Sequence, residues 1–296
     1  MEGCSISVSI TKLYKFYQWF IAFRKTKAFA IPFNMEDFQI IKPPAGRFYA
    51  DPFVIEKDGK NYIFFEDYKI TKGKGVISFI EIGDAGVCTE PKVVLEKKHH
   101  LAYPFLFHYE HKIYMIPDTG HNNTIELYEA VNFPDEWRLI KVLMAGFKAV
   151  DSTLLFHNDK VWLFANVFEA GDDYGKLCVF YADSIFSEWK PHRKNPVNAD
   201  QHSARPAGHI FRHEGKLIRP SQKWGTLYGQ AMVFNEIIDL SEDNYQEVQL
   251  MEVGPEWLDK NECFHTYNFN EQFEVIDGLV IKNEILKLPR WLVAHI

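Results

Sequence analysis

The chain of 296 residues is poor in several things that would have assigned it a class. It has four cysteines, Cys4, Cys88, Cys178 and Cys263, far apart and without a CxxC pair. That spacing argues against a disulfide scaffold and for a reduced, cytoplasmic protein. No apolar run reaches membrane-spanning length, and the N-terminus lacks the regions of a signal peptide. Basic residues are the minority, 33 Lys and Arg against 40 Asp and Glu, so no broad nucleic-acid-binding face is expected. No GxGxxG, P-loop or GxSxG motif occurs, which leaves dinucleotide, nucleoside triphosphate and α/β-hydrolase chemistry unsupported. There are 12 histidines, yet His99, His100, His108 and His111 fit no zinc spacing. No cofactor or metal ligand set is read from the sequence; an axial or structural divalent ion stays open. Amphipathic helices of ordinary length are also missing, against a parallel α/β fold.

What is present is aromatic and repetitive. The 25 phenylalanines favour strands, and one phrase recurs. YADPFVIEKDGKNYIFFE (49–66) is echoed by LAYPFLFHYEHKIYMIPD (101–118) and, more loosely, from Asp151, Arg205 and His265. The starts at 51, 103, 151, 205 and 265 are 52, 48, 54 and 60 residues apart, the spacing of propeller blades. In each copy a β-rich run meets a polar turn (around Asp58-Gly59, Glu110-His111, Asn158-Asp159 and Glu214-Gly215) and a second run, which reads as a hairpin. A second strand pair follows at 75–96, 123–144, 175–197 and 229–252. Four strands per unit and five units predict an all-β, five-bladed β-propeller.

The fifth unit is short, so the N-terminal stretches 19–25 and 28–31 are expected to complete it and remove the exposed sheet edges. That makes residues 1–18 an extension and 19–296 the propeller. A competing reading takes 12–27 as a basic amphipathic helix with Leu13, Phe16, Phe20 and Phe23 on one face, which would touch a membrane surface. Alternation over Trp19, Ile21 and Phe23 supports the strand equally well.

A propeller brings the first residue of each copy to its axis, here Asp51, Tyr103, Asp151, Arg205 and His265. Two carboxylates across an axial funnel would perturb each other's pKa. Asp51 could then act as a general base, with Asp151 tuning it; both could equally cap strand ends. Glu66, Asp118 and Asn166 hold matching places at the ends of the second strands, as rim groups or solvated ends. Arg205 would hold a carboxylate or phosphate of a ligand, or pair with the acids. His265 is a ligand donor, a metal ligand or a buried neutral histidine. The aromatics Phe48, Tyr49, Tyr103, Trp224, Tyr228 and Tyr267 could stack on sugar rings or pack between blades.

A family resemblance rests on FYADPF (48–53), HLAYPFLF (100–107), YMIPDT (114–119), LYEAVNFPDEW (127–137), VDSTLLF (150–156), WLFAN (162–166), NPVNADQHSARPAG (195–208) and FHTYNFNE (264–271). Together, over about Trp19 to Lys287, they resemble the glucosamine inositolphosphorylceramide transferase N-terminal-like family. The resemblance implies a five-bladed propeller related to the arabinanase, β-xylosidase and levanase group of glycoside hydrolases. In plant members a glycosyltransferase domain follows. It implies that Asp51 matches the general base of those hydrolases and Asp151 their pKa-modulating aspartate. Their acid, a Glu at the fourth inner strand, is replaced by Arg205. Inverting hydrolysis needs both an acid and a base, roughly 6.5–9.5 Å apart. Glu66 or Asp118 would have to supply the acid, or the site binds an anionic glycan without cleaving it. Tyr103, Arg205, His265, Asn268 and His202 are the expected substrate contacts. The expected partners are a glycan or glycoconjugate, in surface polysaccharide assembly, and a glycosyltransferase; the functions in view are hydrolysis, glycosyl transfer and recognition alone.

Overall fold

Five antiparallel sheets make up the computed structural model, which describes residues 12–26, 35–83 and 86–286. Four come from consecutive chain. The first holds β3 (Arg47–Lys57), β4 (Lys60–Lys69), β5 (Lys74–Ile82) and β6 (Lys92–Leu95). The second holds β7 (Ala102–Tyr109), β8 (Lys112–Asp118), β9 (Thr124–Asn132) and β10 (Glu136–Ala145). The third holds β11 (Lys148–His157), β12 (Lys160–Phe168), β13 (Lys176–Ala182) and the short β14 (Lys190–Pro191). The fourth holds β15 (Phe211–His213), β16 (Lys216–Lys223), β17 (Ala231–Leu240) and β18 (Tyr245–Val253). This is the expected five-bladed β-propeller, and each of these four blades is a four-stranded antiparallel meander.

The fifth blade joins both ends of the described chain. β1 (Lys12–Lys25) and β2 (Gln39–Ile41) add to β21 (Phe273–Leu286), whose inner side carries β19 (Asn261–Cys263) and β20 (Tyr267–Phe269). β1 pairs with β21 over its whole length, from Lys12↔Leu286 to Lys25↔Phe273. Residues 12–25 are therefore a strand and not the amphipathic helix considered above; an unpaired helix would leave β21 an open edge. The expected second closing stretch, 28–31, and the bulk of the expected extension lie outside the described residues, and β2 is the outer strand observed. Among the described residues no helix is long and apolar enough to cross a membrane, and Cys88, Cys178 and Cys263 are unpaired.

The polar turns are tight. Lys57↔Lys60, Tyr109↔Lys112, His157↔Lys160 and His213↔Lys216 each close a two-residue loop. Both loop residues have positive φ in every case: Asp58 and Gly59, Glu110 and His111, Asn158 and Asp159, Glu214 and Gly215. This turn handedness matches the right-handed twist of the flanking strands.

At the other end of the inner strands sits a repeated irregularity. The ladders of β3, β7 and β11 slip between Ala50 and Phe53, Ala102 and Phe105, and Val150 and Thr153. At each slip one non-glycine residue takes a left-handed backbone: Asp51 (φ 52°), Tyr103 (φ 42°) and Asp151 (φ 54°). A bulge of this kind re-aims a side chain at modest strain, and such strain concentrates at functional sites. The fourth and fifth blades lack it: Arg205 lies before β15, held by the Gln222 N–H donating to its carbonyl (2.8 Å), and His265 lies between β19 and β20.

Candidate functional site

Of the five axial positions, Asp51, Arg205 and His265 meet in one funnel, with Asp151 buried behind Arg205 and Tyr103 beneath. The funnel, of about 300 Å³, is lined by Asp51, Glu66, Asp118, Arg205 and His265, with His100, His121 and Lys148 toward the rim. Its walls are aromatic: Trp19, Phe48, Tyr68, Phe168 and Tyr228. The bulges turn Asp51 and Asp151 inward, and the second strands of two blades deliver Glu66 and Asp118, opposite Ala50 and Ala102.

Two networks hold the acids. In the first, Asp277 is fully buried. Its Oδ1 accepts the backbone N–H of His265 (3.0 Å) and of Thr266 (3.1 Å), and its Oδ2 accepts the N–H of Asp51 (3.1 Å). His265 Nδ1 stands 2.6 Å from the same Oδ2. Asp51 Oδ1 accepts the Thr266 hydroxyl at 2.9 Å. The His265 ring lies flat on Trp19, centroids 4.1 Å apart. Trp19 belongs to β1, so the closing strand completes this wall. In the second network Asp151 Oδ2 accepts Arg205 Nε at 2.5 Å and Gln222 Nε2 at 3.1 Å. The guanidinium sits 4.9 Å over the Tyr228 ring. Arg205 is thus the partner of Asp151. Its Nη atoms have no protein acceptor among the described residues, and its side chain stays 20% exposed to the funnel.

The funnel carboxyls titrate above their ordinary range. Burial pushes Asp51 up to about 6, with His265 pulling it down and Asp151 and Asp277 pushing it up. Burial pushes Glu66 well above its ordinary range, reinforced by Asp51, Asp118 and Asp151. Asp118 rises to about 7, by burial and the Asp151 charge, against the Gly120 N–H bond (2.7 Å) and Arg205. Burial opposes the charge on His265, and Asp277 more than offsets it, so its pKa is raised. Burial and mutual repulsion thus raise Asp51, Glu66 and Asp118 together, each held by different neighbours.

Asp51, His265 and Asp277 bring ligand atoms within 4.8 Å of one another, which raises the axial ion left open above. The donor set does not suit a cation. Both Asp277 oxygens already take backbone N–H bonds and Oδ2 also meets the imidazole. A cation would face those same donors, so no step is routed through one.

The remaining expected contacts lie elsewhere. Tyr103 is fully buried beneath the funnel; its hydroxyl bonds Thr153 Oγ1 (2.8 Å) and accepts the Gly208 N–H (2.7 Å). Asn268 is buried deeper, donating to the Pro52 carbonyl and accepting the His209 N–H, both at 2.8 Å. His202 is exposed and bonded to Asp200. The three are plug and surface groups: the Tyr103 ring reaches Thr153 and Gly208, Asn268 lies three residues beyond His265 in β20, and His202 is on the surface. Of the aromatics, Phe48 and Tyr228 line the funnel, whereas Tyr49 and Tyr267 pack in the core. Sequence reasoning did not reach Asp277, Gln222, Thr266, His100 or Trp19. For the first two a signal existed: they occupy the second-strand place of Glu66, Asp118 and Asn166 in the fourth and fifth blades.

Comparison with known proteins agrees with this architecture. Residues 40–268 match the family described as glucosamine inositolphosphorylceramide transferase 1, N-terminal. The chain is similar to glucosamine inositolphosphorylceramide transferase 1 of Arabidopsis thaliana, 35% identical over 214 residues, 69% of this chain and 27% of that protein. It thus spans about a quarter of that relative's length. Among solved structures it is similar to a family 117 glycoside hydrolase of Zobellia galactanivorans, with TM-score 0.54, 13% identity and coverage of 88% and 90% of the two chains. The catalytic domain of an α-L-arabinofuranosidase of Coprinopsis cinerea gives TM-score 0.56, 12% identity and coverage of 78% and 90%. At such identities the likeness is one of fold.

Proposed function

The chain belongs to the glucosamine inositolphosphorylceramide transferase N-terminal family, and from that premise we propose that its axial funnel takes a sugar residue of a glycoconjugate and cleaves the glycosidic bond. The family supports a carbohydrate-related role, and the reaction is inferred from the funnel. One observation carries it: a single aromatic-walled funnel brings the buried carboxyls of Asp51, Glu66 and Asp118 together, all raised by burial and by acidic neighbours, Asp51 to about 6. Carboxyls held together in one such funnel can divide the two parts between them, one ionised as base and one protonated as acid. Asp51 draws a proton from water as that water attacks the anomeric carbon. Glu66 gives its proton to the departing oxygen, with Asp118 the next candidate for that part. Asp151, fixed by Arg205 and Gln222, acts on Asp51 through its charge. The aromatic walls take the apolar faces of the ring. Arg205 donates through Nη to a hydroxyl, or to the phosphate of a headgroup such as the one in the relatives' name.

The test uses aryl glycosides of common hexoses and pentoses and a glycosylated inositolphosphorylceramide, each with the full chain. Asp51→Asn and Glu66→Gln are each expected to lower turnover by about 10²-fold or more. Full turnover in either variant refutes the assignment. A second reading is favoured by Arg205 itself, which stands where the related hydrolases keep their acid: the funnel recognises a glycan and presents it to a glycosyltransferase. Saturable binding, without product at high protein concentration, supports that reading against cleavage.

A further inference from the structure

The geometry points to His100 as a positioning residue for Glu66: a neutral imidazole locked in one tautomer, which holds the carboxyl by a fixed N–H and relays no proton. The inference rests on the reading of Glu66 as the acid, and deepens it. The Gly75 backbone N–H donates to His100 Nδ1 at 2.8 Å. A backbone amide keeps its proton, so Nδ1 must be the acceptor, and the ring's own proton belongs to Nε2. Nε2 stands 3.5 Å from Glu66 Oε1, so the ring nitrogen that carries the proton is the one that meets the carboxyl. A shuttle would have to load a proton at Nδ1 while unloading one at Nε2, and Nδ1 is occupied.

The sequence pins this arrangement through one glycine. A Cβ on Gly75 would stand 2.5 Å from the Leu101 carbonyl, 2.7 Å from Glu66 Oε1 and 2.9 Å from His100 Cε1. The Leu101 N–H in turn donates to the Gly75 carbonyl at 3.1 Å. The strand β5 of the first blade therefore fastens the segment that enters the second blade, and His100 with it.

The surroundings keep the ring uncharged. His121, at 5.1 Å between centroids, His99 and Tyr68 face it, and Glu66 is the acid in contact. Burial, then His121 and His99, hold His100 down at about 4. Glu66 itself faces the charges of Asp51, Asp118, Asp151 and Asp277. While Glu66 is protonated, a donor at Oε1 favours the proton on Oε2, since the carbonyl oxygen is the better acceptor. Once that proton has gone to the leaving group, the same N–H meets a carboxylate and the bond strengthens. The contact is thus worth more after proton transfer than before it, which is the condition for an interaction to lower a barrier.

The experiment needs no substrate. NMR of the full chain, with 15N-histidine and 13C-carboxyl glutamate, follows both groups with pH. His100 is expected to read as the neutral Nε2–H tautomer throughout about pH 5 to pH 8. His100→Phe, which removes the donor, is expected to raise the Glu66 midpoint by about one pH unit, and His100→Gln, which restores an N–H, to return most of it. A His100 ring that titrates within that range, a proton found on Nδ1, or a Glu66 midpoint unmoved in His100→Phe overturns the inference. The tautomer is read in the unsubstituted protein, so a variant that fails to fold does not remove the test. Absence of glycosidase turnover with these titrations intact counts against cleavage and not against the His100–Glu66 pairing.

Discussion

Replacing Asp51 by Asn is expected to stabilise the protein, and only at the pH where Asp51 is ionised. The fold moves this carboxyl from its ordinary 3.8 to about 6, through burial and the neighbouring Asp151 and Asp277, against the pull of His265. Each pH unit of displacement is worth about 1.4 kcal/mol, so the folded state loses about 3 kcal/mol when Asp51 ionises. The direction follows from proton counting. Below pH 3.8 the group is protonated folded and unfolded, and its stabilising contribution is complete. Between 3.8 and about 6 the unfolded chain gives up its proton while the folded chain keeps it, and stability falls. Above about 6 the whole cost is present. An Asn amide has the shape of the protonated acid and carries no charge, and its Oδ1 still accepts the Thr266 hydroxyl that Asp51 takes at 2.9 Å. Urea unfolding of both proteins from pH 4 to pH 8 measures the difference. Asp51→Asn should gain up to about 3 kcal/mol relative to the parent on going from pH 4 to pH 8, roughly 5–10 °C in melting temperature for a chain of this size. A difference that does not change with pH, or one that falls toward pH 8, refutes the reasoning. The same substitution is expected to lower turnover by about 10²-fold or more, so stability and activity should move in opposite directions.

Two further substitutions probe the networks behind the funnel. Arg205→Ala leaves the Asp151 carboxylate buried with Gln222 as its remaining side-chain donor; chemical denaturation should show a loss of about 3–5 kcal/mol, and Arg205→Ala/Asp151→Ala should lose less than the two single variants summed. Asp277→Ala strands the backbone N–H groups of Asp51, His265 and Thr266 and should cost at least about 3 kcal/mol in thermal or urea unfolding, while Asp277→Asn, which keeps one acceptor oxygen, should cost less.

The fold was legible because its signals are local and repeated. A two-residue turn such as Asp58-Gly59 and the alternating runs on either side of it need no long-range information, and each further copy adds weight. The placement of Asp51 and Asp151 was legible for the same reason, since the inner-strand phrase carries them in register. What could not be read was decided by one bulge and by contacts between distant strands. Tyr103 occupies the repeat position of Asp51 and shares its left-handed backbone, yet its long ring reaches past the funnel to Thr153 and Gly208. The pairing of Arg205 with Asp151 spans 54 residues, and no local pattern announces it. His100 lies outside the phrase, and its role comes from an amide on the neighbouring blade. Trp19 meets His265 only because the N-terminal strand closes the ring.

That closure also fixes where the chain comes and goes. In the first blade β4 ends at Lys69, three residues beyond Glu66; in the fifth, β21 runs to Leu286, nine residues beyond Asp277, with Lys12 of β1 beside it. The two-stranded ribbon therefore continues six residues further, about 20 Å, on the funnel side. Residue 12 and residue 286 therefore lie side by side, at the far end of one ribbon on the funnel side of the molecule. A neighbour fused at either of these two positions would start from the same face of the molecule, and the four other blades, each built from consecutive chain, would be untouched by it.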